Sequence, residues 1–166
     1  VVGPNGAGKT CLCRMILDHT ASVDEAVAMA ERYDVYDVKS GDRHLLEHHV
    51  LVADAGGASV VLEGAVGRLR PVYPSTRSWQ VATNFVMHGL EEPQRRHRCL
   101  RYGLLADELA GFAPMGWDDV MRLLRRTSGA TRWSTVYDLP RRRLYLSVDE
   151  AYDRVLTTSL EPAPSG

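Results

Sequence analysis

The chain has 166 residues, 45% of them hydrophobic and 25% charged, with a net charge of −1. That length suits one domain or a piece of a larger one, and the balance is that of an ordinary globular protein. No apolar run reaches the ~20 residues of a membrane helix, and acidic residues interleave with the arginines, so neither a membrane span nor a basic nucleic-acid face is expected.

Val1 and Val2 lead into Gly3-Pro4-Asn5-Gly6-Ala7-Gly8-Lys9-Thr10. Behind it, Cys11, Met15, Ile16 and His19, with Leu12 beside them, fall near one face of a helix. Ser22-Val23-Asp24-Glu25 is a capping box opening a helix to about Tyr33, with Val23, Ala26, Val27 and Ala30 inward. A polar loop spans about Asp34 to Glu47. His49 to Asp54 and Ser59 to Glu63 are strands of a hairpin turning at Ala55-Gly56-Gly57-Ala58. An irregular stretch with Pro71 and Pro74 leads to a strand at Trp79 to Phe85. Pro93 precedes a helix of about Gln94 to Leu109. Trp117 to Arg126 is a short helix with Val120, Leu123 and Leu124 inward. Trp133 to Asp138 and Arg143 to Ser147 are strands joined by a turn at Leu139 to Arg142. Trp79, Trp133 and Tyr137 are expected in the core, and the tail from residue 157, including Glu161 to Gly166, is expected to be disordered. The order α-α-β-β-β-α-α-β-β predicts an α+β fold of antiparallel sheets with flanking helices.

The opening octamer matches the phosphate-binding loop, in which backbone N–H groups cradle phosphate, Lys9 reaches the terminal phosphates and Thr10 holds Mg²⁺. On that reading Gly8, Lys9 and Thr10 bind ATP and Mg²⁺, and Leu144 to Glu150 is the candidate second element. The reading needs a buried strand in front, and only Val1 and Val2 stand there. The three cysteines, Cys11, Cys13 and Cys99, are read as buried free thiols of a reducing compartment, and no cofactor is expected. His44, His48 and His49 lack a second ligand pair at zinc spacing, so no metal is expected. Nothing at the start reads as a signal peptide, and a cytoplasmic location is expected.

Five segments in order resemble the choloylglycine-hydrolase and acyltransferase group of N-terminal-nucleophile amidases. That group takes in bile-salt hydrolases, penicillin V acylases, acyl-CoA:6-aminopenicillanic acid acyltransferases and other linear-amide C–N hydrolases. The segments are Arg14 to His19 with Ser22 to Ala26, His49 to Gly57, Trp79 to Phe85, Arg101-Tyr102, and Thr131 to Asp138. The resemblance covers about Cys11 to Ser147. It implies part of a four-layer αββα sandwich over residues 11–156, with residues 1–10 a phosphate-loop-like segment foreign to the fold. It implies a thiol nucleophile acting on a small-molecule amide, with its own α-amine as base. Asn84 matches the Asn that faces the nucleophile, and Arg101 the later Arg that supplies charge; Arg96 and Arg98 compete for that match. Asp54 reads as a turn residue. No cysteine here has a free α-amine, so the expectation is a truncated product, joined near Thr10 and Cys11 and inactive alone. A third reading is a degenerate, non-catalytic domain that covers an exposed sheet face by homo-oligomerisation.

Overall fold

The computed structural model describes residues 7–33, 39–40, 43–44, 49–65, 68–75, 79–111 and 114–160, with residues 7–11, 39–40, 43–44 and 65 by backbone alone. It is a mixed α+β chain whose described part holds five helices and two three-stranded antiparallel sheets. Contacts divide the chain into two compact units, Val1–Gly103 and Leu104–Gly166.

In the first unit, helix α1 (Ala7–His19) buries Ile16 and rests Leu12 on the core, while His19 faces solvent. Gly8, Lys9 and Thr10 belong to its first turns by backbone; Gly3 to Gly6 lie outside the described residues. Helix α2 (Val23–Ala30) starts at the expected cap: Ser22 Oγ accepts the Glu25 N–H at 3.2 Å, and the Glu25 carboxylate takes the Ala21 N–H at 2.7 Å. The first bond satisfies an amide that a helix start leaves without a partner, and the second ties down the residue before the cap. Val23, Ala26, Val27 and Ala30 are all buried, as their spacing predicts.

The polar loop carries a two-residue ladder of β1 (Lys39–Ser40) with β2 (Arg43–His44). The first sheet has the order β3 (His49–Ala53), β4 (Ser59–Ala65), β5 (Arg68–Val72). Alternation gives it two faces. Val60, Leu62 and Leu69, with Val50 and Val52, pack beneath α1 and α2. Val61 and Glu63 point to the opposite face and are also buried. Asp54 closes the β3–β4 hairpin by accepting N–H groups of Gly56 at 2.9 Å and Ala58 at 3.1 Å, and Gly57 takes the positive φ of 87° the turn requires. Its other oxygen accepts the Val23 N–H at 3.1 Å, fastening the hairpin to the start of α2.

Strand β5 arises in the stretch expected to be irregular. Pro71 pairs opposite Leu62, and β5 is an edge strand, the place in a sheet that tolerates a missing N–H. Residues 79–85, expected as a strand, form no ladder. The helix expected over Gln94 to Leu109 is two helices, α3 (Glu92–Arg98) and α4 (Leu100–Ala110), broken at Cys99.

In the second unit, α5 (Trp117–Arg126) covers a sheet of order β6 (Trp133–Asp138), β7 (Arg143–Val148), β8 (Leu156–Ser159). Met121, Val136 and Tyr145 form its core, with Val120 and Leu124 against them, and Trp117 stacks on Tyr145 at 4.4 Å and 5°. The residues from 157, expected to be disordered, begin instead as part of β8; residues 161–166 lie outside the described residues. Trp133 and Tyr137 are 68% and 60% exposed, not core, because both lie on the face of β6 turned away from Val136. The Leu144 to Glu150 run is the antiparallel strand β7 and a turn, in which Asp149 stands 3.6 Å from Arg132.

No described helix is long and apolar enough to cross a membrane.

Candidate functional site

The site is built from the segment after β5 and from the junction of α3 with α4. Residues 79–91 run without a ladder, bend at Asn84-Phe85, turn at His88-Gly89 and are fastened by side chains. Gln80 Nε2 donates to the Val72 carbonyl at 2.6 Å. Glu63, 1% exposed, accepts the N–H of Met87 at 2.9 and 3.0 Å and that of His88 at 2.7 Å. His49, opposite Glu63 in the ladder, places Nδ1 2.7 Å from the same carboxylate. Burial pushes the Glu63 carboxyl up; His49 and the two amides outweigh it and hold the group below its ordinary value.

The second wall begins at Glu92. Tyr102, 2% exposed, donates its hydroxyl to Glu92 at 2.9 Å and meets Phe85 edge-on at 5.5 Å. Burial first, and then the Glu92 carboxylate, raise the Tyr102 phenol above its usual value. Gly103 lets α4 pass close to α3: a Cβ there would stand 3.3 Å from the Arg96 carbonyl, a tight contact that only a small shift would relieve.

These anchors bring Asn84 and Arg101 together. The Arg101 guanidinium donates to Asn84 Oδ1 at 2.9 Å, and both residues are exposed. Since guanidinium only donates, the amide is oriented with Oδ1 inward, which leaves the Asn84 Nδ2 hydrogens for a ligand. Of the two competing arginines, Arg96 stands 3.3 Å from Glu92; the neighbouring Arg95 donates to the Leu90 carbonyl at 2.8 Å.

Cys99 joins this pair. Its backbone is extended (φ −147°, ψ 123°) and its carbonyl accepts the Gly103 N–H at 3.0 Å, so it caps the start of α4. The thiol was expected inside a helix and buried; it is half-buried at a break. Burial pushes it up, but the Tyr102 and Arg101 amides, the Thr83 hydroxyl and the Arg101 guanidinium hold it below the usual thiol value. Cys13 is exposed, against expectation, and the Cys11 side chain lies outside the described residues. The Cys99 cap carries no mark in the sequence: no Gly or Pro announces the break.

Asp54 is a hairpin anchor, in keeping with its reading as a turn residue. The Val23 amide bond is the main cause holding its carboxyl below the ordinary value; burial opposes it, and the amides of Ala58, Gly56 and Gly57 assist. Among the described residues no group of three His, Cys, Asp or Glu is placed to hold a metal ion.

The site therefore presents two exposed N–H donors, Asn84 and Arg101, beside a thiol under cationic and amide influence. Such donors suit a carbonyl oxygen, a carboxylate or the oxyanion that forms during acyl transfer. No protein-family model, no curated protein and no solved structure matches the chain.

Proposed function

We propose that the chain carries the carbonyl-binding part of an acyl-transfer site, of the linear-amide C–N hydrolase and acyltransferase class, in a partial αββα sandwich. The observation that carries this reading is the 2.9 Å bond between Arg101 and Asn84, which joins two residues 17 positions apart that the resemblance names for one site. In that role the Asn84 amide and the Arg101 guanidinium bind the carbonyl oxygen, and their hold tightens as negative charge develops on it. The substrate class is a small-molecule amide. The nucleophile the resemblance calls for has a free α-amine, a group that Cys99, at the break between α3 and α4, does not carry. Cys99, in contact with Arg101, is a reporter thiol for the same donors.

The test is acylation by a p-nitrophenyl acyl ester. The Cys99 thiolate bonds the acyl carbon, the ester C–O bond breaks and nitrophenolate leaves, counted by absorbance and located by peptide mass spectrometry. Asn84→Ala and Arg101→Ala are expected to slow labelling of Cys99 roughly 100-fold, the scale of losing an oxyanion donor, and to leave Cys13 unaffected. Equal labelling of Cys99 in wild type and both variants would overturn the reading.

A further inference from the structure

We infer that the open face of the β6–β7–β8 sheet is a docking surface for a second copy of this chain, forming a two-fold dimer with strands antiparallel across the interface. The inference rests on the second unit alone and is independent of the acyl-transfer reading.

The sheet has one covered and one open face. Ser134, Val136 and Asp138 alternate toward the α5 side and are all buried. Trp133 and Tyr137 alternate the other way and pair with Val148 and Leu144, while Leu146 pairs with Leu156. On that open face Trp133 is 68% exposed, Tyr137 60%, Leu156 62% and Val148 43%. These four alone present roughly 500 Å² of mainly apolar surface, near the top of what a monomer leaves uncovered. Two such faces stacked would remove about 1,000 Å², the size at which specific association begins. Trp and Tyr are the residue types that anchor such interfaces.

Charge selects a second copy as the occupant. Among the ladder positions of the open face none is ionisable except the Tyr137 phenol, so the face itself offers a charged partner nothing to pair. Its two ends differ in sign. Arg132, Asp149 and Glu150, at the Trp133 end, carry one positive and two negative charges. Arg141 and Arg142 in the turn at the Tyr137 end, with Arg143 beside them on the α5-side face, carry three positive charges, against which stands the single charge of Asp138, bonded to Arg141 and opposite Arg143. A two-fold axis parallel to the sheet, midway between the copies and perpendicular to the strands, lays the acidic end of each copy on the arginine end of the other. The contact is then isologous and closed, with apolar centres stacked as in a sandwich.

Sedimentation velocity from about 1 to 500 µM reads the association directly, since the buried area suits a micromolar dimer. The wild-type chain is expected to shift from one to two chain masses over that range, and high salt is expected to weaken the shift. Trp133→Glu and Leu156→Glu, both at exposed positions, are expected to hold the chain monomeric with unchanged circular dichroism. Arg142→Glu is expected to weaken the dimer, and Leu17→Glu, on α1 and 79% exposed, to leave it intact. A monomer throughout the range overturns the proposal. So does a dimer that survives both Trp133→Glu and Leu156→Glu, or a monomer whose tryptophan emission shifts to the red on Trp133→Glu, since that shows the face covered within one chain.

Discussion

Replacing Glu63 should detach the segment that carries Asn84 without unfolding the sheet beneath it. In Glu63→Ala the N–H of Met87, a residue 1% exposed, loses its acceptor, and so does the His88 N–H. Each orphaned amide costs about 1–3 kcal/mol, and the missing methylenes leave a cavity worth about another 1 kcal/mol. Against this stands the relief of no longer burying a carboxylate, a cost of several kcal/mol in the native protein. The amides and the cavity outweigh that relief, and the net loss expected is about 2–3 kcal/mol. Glu63→Gln keeps one acceptor oxygen and the shape, and should lose less, about 1–2 kcal/mol. Urea unfolding followed by circular dichroism gives the totals, and amide exchange by NMR gives the location. Met87 and His88 should lose protection first in both variants. A loss below about 1 kcal/mol in Glu63→Ala, with those two amides still protected, would refute the argument that the carboxylate holds the segment.

The sign of the pH dependence follows from the same groups. The Asp54 carboxyl is lowered from 3.8 and Glu63 from 4.5, so both stabilise the fold above those values and lose that contribution as pH falls through their lower folded values. Acid titration of stability should therefore show its steepest loss below about pH 4, and Asp54→Asn should flatten it; an unchanged acid limb in that variant would refute the assignment. Cys99 should react with iodoacetamide with a midpoint below that of an ordinary thiol, and Arg101→Ala should move the midpoint upward. An unmoved midpoint would show that the guanidinium does not act on the sulfur.

The β3–β4 hairpin, α2, α5 and the β6–β7 hairpin were legible because each carries its own punctuation. Ser22 and Glu25 cap, Asp54 and Gly57 turn, and apolar alternation runs between them. Strands β5 and β8 were not, because edge strands need little apolar signal: β5 alternates arginines with Leu69 and Val72 around Pro71, and all four residues of β8 are exposed. Trp79 to Phe85 reads as a strand because its composition is that of one; the Val72 carbonyl goes to the Gln80 side chain, and no ladder forms. Trp133 and Tyr137 show the converse error, since alternation fixes that two faces exist but not which one a helix covers. Of the site, Asn84 and Arg101 came from the resemblance, whereas the role of Cys99 depended on a helix break set by tertiary packing.

The fastening of residues 79–91 also bears on how this protein can be altered. A ladder ties every second residue of a strand to a neighbour, so any change of length shifts the register of all that follows. Here the Gln80 side chain and the amides of Met87 and His88 are tied down, and the stretch from 82 to 86 hangs between those knots. Its exposed positions, Asn84 and Val86, can be exchanged while Phe85 keeps its place on Tyr102 and β4 and β5 keep their pairing. The group facing Arg101 is thus the part of the chain most open to redesign for a different ligand.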